Sequence, residues 1–184
     1  MPAEYSFESR WVLPGPPELV WRELERTLLP GGPRRAWWPG LTVTMPPRRL
    51  RVGERMVVTV HAPLGYRLRV LLEVTEIDPG RTLAATSTGD LRGVGRLSVA
   101  AAGAGATASG GGVGTVVVFE WDVQTRRPWM NTAAWLLRPV FERAHAYVMR
   151  RGEAGLRARL AGGRSEPRNA GNPRIRAIEA VSSG

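Results

Sequence analysis

The chain has 184 residues, of which 43% are hydrophobic, and a formal net charge of +10 at pH 7. This length and composition predict one domain with a sizeable core and leave little room for a second domain. The absence of cysteine excludes disulfides, thiolate metal sites and cysteine nucleophiles. No apolar run approaches the ~20 residues of a membrane-spanning helix, and no secretory signal opens the sequence, so we expect a cytoplasmic protein.

The basic charge does not by itself indicate nucleic-acid binding. All 26 basic residues are arginine, a composition that, with the many Ala, Gly, Pro and Val residues, is typical of GC-rich coding. The arginines are dispersed in pairs such as Arg34-Arg35 and Arg150-Arg151, without a continuous basic block. We therefore predict no specific nucleic-acid partner and at most a weak attraction to anionic surfaces. The sequence carries no signal for an oligomeric state.

The first forty residues predict a strand and one or two short helices. Glu4–Val12 alternates aromatic with polar residues, as a strand with one buried face does. Prolines end this strand, and Pro17–Thr27 has the spacing of an amphipathic helix. A second proline-rich break follows, and Arg34–Trp38 is predicted to form one further turn. The residues predicted to face inward are Tyr5, Phe7 and Trp11 on the strand and Val20, Trp21 and Leu24 on the helix.

Five strands are then predicted, separated by turn signals such as Asp78-Pro-Gly80. The glycines at positions 93 and 95 predict a bulge or bend in the fifth of them. The Gly/Ala/Ser-rich segment 103–112 is predicted to be a loop. The strands are Leu41–Met45, Arg55–His61, Tyr66–Ile77, Arg81–Thr88 and Leu91–Ala100.

The last strand and the long helix after it are the most informative part of the chain. Thr115–Thr125 places Val117, Phe119, Trp121 and Val123 on one face, because strand side chains alternate. The helix is predicted over Trp129–Leu160, well beyond the ~10–14 residues of an average helix, with a kink at Pro139. One such helix packed across an antiparallel sheet of six or seven strands forms an α+β container. Residues 1–162 would be this domain, and 163–184 a disordered tail.

Three segments carry a resemblance to a known family. They are Trp121-Asp-Val123, Pro128-Trp-Met-Asn131, and Leu137-Arg-Pro-Val-Phe141 continuing through His145 to Val148–Leu156. With the order of elements, they resemble the SRPBCC superfamily, the helix-grip fold of START domains, birch-pollen-type allergens and polyketide cyclases. More narrowly, they resemble bacterial proteins of the polyketide cyclase/dehydrase type. The resemblance covers residues 3–161 and implies a cavity that this superfamily reuses for transport, sensing and catalysis.

The predicted function is binding of a hydrophobic small molecule, lipid or polyketide-like, in an apolar cavity between the sheet and the C-terminal helix. No cofactor or metal is expected. The cavity should have a volume of ~300–1,000 Å³. The residues predicted to line it are Leu68, Val70, Leu72, Val117, Phe119 and Trp121 on strands, and Trp129, Ala133, Leu136, Leu137 and Val140 on the helix.

Catalytic residues are scarce, because the chain has only two histidines and no nucleophile elbow or phosphate-binding loop. His145 lies at the edge of the apolar face of the long helix. It is either a general acid/base or a boundary residue packed beside Phe141, and we predict the second. Tyr66 is the other catalytic candidate, while His61 should be exposed. An aromatic polyketide cyclase or dehydratase is the alternative function, and an interaction module for a protein or an acidic surface is a third.

The carboxylates of the strands alternate with apolar neighbours and should lie on the outer face of the sheet. There they would pair across strands with arginines. The carboxylates are Glu73, Glu120 and Asp122, and the arginines are Arg67, Arg69 and Arg96.

Overall fold

The computed structural model describes residues 4–32, 37–61, 65, 67–103, 114–125 and 134–162, with backbone only at Thr125, residues 134–138 and Val140. In these ranges lie seven strands and two helices. In chain order they are β1 (Glu4–Pro14), α1 (Pro17–Leu28), β2 (Leu41–Met45), β3 (Arg55–His61), β4 (Arg67–Asp78), β5 (Thr82–Gly89), β6 (Leu91–Ala101), β7 (Gly114–Thr125) and α2 (Ala134–Gly162). Neither helix is long and apolar enough to cross a membrane.

The strands form one antiparallel sheet in the order β1-β7-β6-β5-β4-β3-β2. The first strand therefore pairs with the last, with Tyr5 opposite Val123 and Trp11 opposite Val117. Every other pairing joins strands that follow one another along the chain. The predicted α+β helix-grip class is confirmed.

The element bounds agree with the sequence patterns to within two residues wherever the structure describes them. Helix α2 ends at Gly162, two residues beyond the predicted end, and Pro139 lies inside it. The predicted start of this helix at Trp129, the further turn at Arg34–Trp38 except its last two residues, and most of the predicted loop 103–112 lie outside the described residues. So does the predicted tail 163–184. The kink at Pro139 stays a prediction.

Of the bulge or bend predicted at the glycines of β6, the bulge is absent from the described pairings, and the bend stays a prediction. Over the paired residues described, β6 keeps a continuous register with both neighbours, and the irregularities lie at Val43/Met45 and Val74/Glu76. The glycines instead permit close approach. A Cβ atom at Gly93 would collide with the Asp122 carbonyl, and one at Gly95 would lie 3.2 Å from the Trp121 ring.

One end of the interior, which we call the packed end, consists of closely packed buried side chains. Its buried side chains are Trp11, Leu13, Val20, Leu24, Trp37, Trp38, Leu156 and Leu160. Helix α2 comes close to the tryptophans because it carries glycines there. A Cβ at Gly152 would lie 2.6 Å from the Trp38 ring, and one at Gly155 would overlap the Trp37 carbonyl. The Trp38 indole also donates a hydrogen bond to the Val148 carbonyl at 3.1 Å.

Polar contacts fasten α2 to its neighbours at the same end. Arg159 pairs with Glu23 of α1, whose side chain is buried. Arg157 donates to the Val12 carbonyl at 2.8 Å. These bonds hold the C-terminal half of α2 against both α1 and β1.

Ion pairs cross the outer face of the sheet, but the predicted partners were wrong. Glu73 accepts from Arg55 at 2.7 Å, because the two residues lie directly opposite on β3 and β4. The arginines proposed for it on β4 share its own strand. Arg96 reaches over β5 to Glu76 at 3.2 Å, so Glu120, its register partner on β7, makes no ion pair among the described residues. Glu120 and Asp122 are exposed, as predicted.

Candidate ligand-binding cavity

A cavity of about 250 Å³ lies between the inward face of the sheet and α2. All seven strands contribute to its lining, together with Leu28, Trp38 and α2. The volume is slightly below the range expected from the sequence. The α2 side chains that line it are Phe141, Ala144, His145, Val148 and Met149, and the strand residues include Val58, Leu68, Val70, Leu72, Leu83, Ala85, Leu97, Phe119 and Trp121.

Five of the predicted site residues line this cavity: Leu68, Val70, Leu72, Phe119 and Trp121. Val117 does not, because it is fully buried opposite Trp11, at the packed end of β7. Trp129, Ala133 and Tyr66 lie outside the described residues, as do the side chains of Leu136, Leu137 and Val140. Ligand contact by any of these residues stays a prediction.

Sequence reasoning missed the cavity residues at the end of α1 and in the connection between α1 and β2. Leu28 follows the predicted end of α1, and Trp38 lies in a connection with no periodic pattern, so neither carried a signal. Phe141, Ala144 and Val148 could have been found, because they share the apolar face of α2 with the residues that were chosen.

Aromatic side chains cluster on one side of the cavity, and we call this set the aromatic wall: Tyr5, Phe7, Trp121, Phe141 and His145. The Tyr5 ring packs edge-on against Phe141, with centroids 5.7 Å apart, and stacks with Phe7 at 5.8 Å. Trp121 lies beside Phe7 in the register of β1 and β7. The wall therefore offers a ligand several large flat surfaces.

His145 is held by two residues of β1. Its Nε2 atom lies 3.1 Å from the Ser9 hydroxyl oxygen, in hydrogen-bonding distance. Its ring stacks on Phe7, with centroids 4.5 Å apart and an angle of 18° between the planes. The helical spacing had predicted Phe141 as its packing neighbour. Ser9 is the one polar residue between Phe7 and Trp11 on the inward face, a signal that could have identified it.

Burial lowers the pKa of His145 below its ordinary value of 6.5, because the charged imidazolium loses hydration there. The imidazole is consequently neutral at pH 7 and can either accept or donate through each nitrogen. His61, by contrast, is exposed, as predicted.

The glycine at position 95 sets the depth of the cavity beside the wall. Three atoms of the Trp121 benzene ring lie 3.2–3.4 Å from the place of a Cβ atom at Gly95. The indole thus covers the bare backbone of β6. Its Nε1 atom is buried and has no hydrogen-bond partner among the described residues, and the same holds for the Ser87 hydroxyl.

The arrangement has limited means for chemistry. Arg96 lines the cavity, but its guanidinium pairs with Glu76. Among the described lining residues, His145 is the one histidine. In the described part of the chain, no three His, Asp or Glu side chains lie close enough together to hold a metal ion.

The sequence matches no protein-family model and no curated protein. Solved structures do match. The Zhui aromatase/cyclase from a Streptomyces species superposes with a TM-score of 0.58 at 18% identity, covering 86% of this chain and 96% of that one. A protein from Mycobacterium smegmatis gives 0.55 at 15% identity, covering 86% and 92%. One from Thermus thermophilus gives 0.54 at 19%, covering 86% and 99%. At these identities the likeness shows that the chain has the helix-grip fold.

Proposed function

We propose that this protein binds a hydrophobic small molecule, of lipid or polyketide type, in the cavity between the sheet and α2, as a carrier or sensor. The cavity is the observation that carries the proposal. Protein interiors are normally close-packed, with few voids larger than a water molecule, and this one leaves about 250 Å³ open among apolar side chains. An apolar ligand would replace the contacts that the void leaves unmade.

The expected affinity follows from the buried area. Burial of apolar surface contributes roughly 25 cal/mol per Å², so a ligand that hides about 300 Å² gains about 8 kcal/mol. That corresponds to a dissociation constant of about 1 μM, which is the tightest binding expected because the costs of association weaken it. No ion pair is needed, and binding should depend little on salt.

An aromatic polyketide cyclase or dehydratase is the second candidate. The bond between Ser9 and His145 favours it, because it orients a neutral imidazole at the cavity, as a general acid/base requires. The likeness in fold to an aromatase/cyclase is consistent with this alternative. A cytoplasmic location and the weak attraction to anionic surfaces also stay predictions.

A variant that fills the cavity tests the proposal. Ala85 lines the cavity from the middle of the sheet, so Ala85→Leu should place a side chain in the void. Quenching of Trp emission by a fluorescent fatty acid or a naphthalene probe should report micromolar binding to the wild type, weakened more than about tenfold in the variant. Ala100→Leu, on the exposed side of β6, is the matched control.

Two results would contradict binding at this site. The first is an absence of quenching by every apolar probe in the wild type. The second is equal affinity in the wild type and in a folded Ala85→Leu variant. A second experiment separates the two candidate functions. Native mass spectrometry of protein isolated from its own cells would identify a carried molecule, whereas turnover of an aromatic polyketide precursor would establish the enzyme.

A further inference from the structure

The hydrogen bond between Ser9 and His145 joins a polar side chain of β1 to the aromatic wall at the cavity. His145 comes from the middle of α2 and lines the cavity. Its Nε2 atom is used by Ser9, whereas Nδ1 makes no hydrogen bond among the described residues. His145 is half-buried, and a ligand acceptor placed at this nitrogen would gain a hydrogen bond.

The direction of the bond can be argued from the protons available. Ser9 has a single hydroxyl proton, and His145 is its one hydrogen-bond partner among the described residues. If Ser9 donates that proton to Nε2, the hydroxyl is satisfied and the neutral imidazole carries its own proton on Nδ1. The reverse direction leaves the serine proton unused in a part-buried position. Burial supports the neutral form of the ring.

Two contacts then fix where the Nδ1 proton lies. The stack on Phe7 at 4.5 Å holds the plane of the imidazole, and the bond to Ser9 at 3.1 Å fixes its rotation within that plane. Both supporting residues belong to β1, whose backbone pairs with β7 along its whole length. A donor held in this way is preorganised, so a ligand need not order it on binding.

We propose that His145 is a specificity-determining donor, positioned by Ser9 and Phe7, and that the ligand is a flat aromatic molecule with a carbonyl oxygen at this end. This inference rests on the proposed function, because it names the ligand class of the same cavity. The aromatic wall contacts the aromatic ring of the ligand, and the Nδ1–H group of His145 donates a hydrogen bond to its carbonyl oxygen. A pure hydrocarbon of the same shape leaves His145 unpaired.

Two probes that differ in one atom test this. Acetylnaphthalene and isopropenylnaphthalene have the same flat skeleton, with a carbonyl oxygen in the first where the second has a CH₂ group. Dissociation constants of both are measured by Trp quenching for the wild type, His145→Phe and Ser9→Ala. The phenyl ring can keep the stack on Phe7 but cannot donate a hydrogen bond.

His145→Phe should weaken the ketone about fivefold to tenfold and leave the alkene within about twofold. Ser9→Ala should weaken the ketone by a smaller factor, about twofold to threefold, since the donor remains but its orientation is lost. His61→Phe and Ser6→Ala, exposed residues of the same two types, should change neither probe. Unchanged binding of the alkene also shows that the variants are folded.

Three outcomes would overturn the inference. If His145→Phe weakens both probes equally, His145 contributes packing and no donor. If Trp121→Phe removes the preference for the ketone while His145→Phe does not, the donor is the buried indole nitrogen of Trp121. In both cases binding to the cavity stands. If neither naphthalene binds the wild type while a fluorescent fatty acid does, this inference fails and the proposed function stands; if no apolar probe binds, both fail.

Discussion

The packed end and the aromatic wall both draw on β1 and α2, yet the first consists mainly of fully buried side chains and the second lines the cavity. At the packed end, β1 supplies Trp11 and Leu13, and α2 supplies glycines that let it approach. At the wall, β1 supplies Tyr5 and Phe7, and α2 supplies Phe141 and His145. At the wall, both partners therefore carry large side chains, whereas α2 carries glycines at the packed end.

The difference teaches that the size of the α2 residues, more than their hydrophobicity, decides where the interior is open. Both halves of the helix face apolar surfaces. Gly152 and Gly155 have no side chain, so Trp37 and Trp38 pack directly against the helix at these positions. Stability should therefore depend mainly on the packed end, and ligand binding on the wall.

Gly155→Ala should break the packed end. The added methyl group would overlap the Trp37 carbonyl, and a backbone group cannot move aside as a side chain can. We expect a loss of about 3–4 kcal/mol, toward the upper limit for overpacking, read as a fall in Tm of roughly 10 °C. Gly162→Ala, on the same helix with open space around it, should leave Tm equal or slightly higher. A small effect at Gly155 would show that α2 does not need close approach.

A pair of leucine truncations should measure the contrast between the two regions. Leu156 is completely buried at the packed end, so Leu156→Ala should cost about 3 kcal/mol, as cavity-forming truncations do. Leu68 is half-buried and already borders a void. Leu68→Ala should cost about 1 kcal/mol, because few contacts are lost there. Equal losses in urea denaturation would argue that both regions are packed alike.

The ion pair at the packed end should have an intermediate effect. Glu23 is buried and bonds to Arg159, whose side chain is 36% exposed. Glu23→Gln keeps the shape but leaves the guanidinium without its counterion, at a cost of about 1–2 kcal/mol. Glu153→Gln, in the solvent-exposed pair with Arg157, should cost less than about 0.5 kcal/mol. Chemical denaturation of both variants at neutral pH makes the comparison.

The smallest effect expected is the pH dependence that His145 introduces. Its folded-state pKa is lowered from 6.5 by burial, so the unfolded chain takes up the proton first as the pH falls. As far as His145 is concerned, the free energy of unfolding is therefore highest above pH 6.5. It decreases as the pH falls below that value and levels off below the folded-state pKa. Between pH 7.5 and pH 5 the Tm of the wild type should therefore fall further than the Tm of His145→Phe. Parallel curves would mean that His145 is solvated.

Most of the fold could be predicted from the sequence, because period-two alternation records which strand face is buried. One example is the alternation of β1, in which Tyr5, Phe7 and Trp11 all face inward. The pairing of charges could not be predicted. Alternation places Glu73 on the outer face, but only the register of β3 against β4 brings Arg55 opposite it.

The candidate site was predictable in part, for the same physical reason. Leu68, Val70 and Leu72 follow from alternation along β4. Val117 also faces inward, yet it lies at the packed end. Alternation predicts which face of the sheet a residue occupies, but whether it meets the cavity depends on the side chains that pack over that part of the strand. The roles of Trp38 and Gly155 arise between segments far apart in the chain, which no local pattern records.

The pairing of β1 with β7 also bears on the order of assembly. During synthesis, strands β2 to β7 can join one after another, since consecutive strands in this range pair with each other. The first strand alone must wait for the last, with Glu4 opposite Gln124 and Pro14 opposite Gly114. Contacts so distant along the chain form slowly, because loop closure precedes any gain from pairing. The aromatic wall, three of whose members lie on these two strands, is therefore completed late, and a nascent chain exposes Tyr5 and Phe7 until α2, which supplies Phe141 and His145, has left the ribosome.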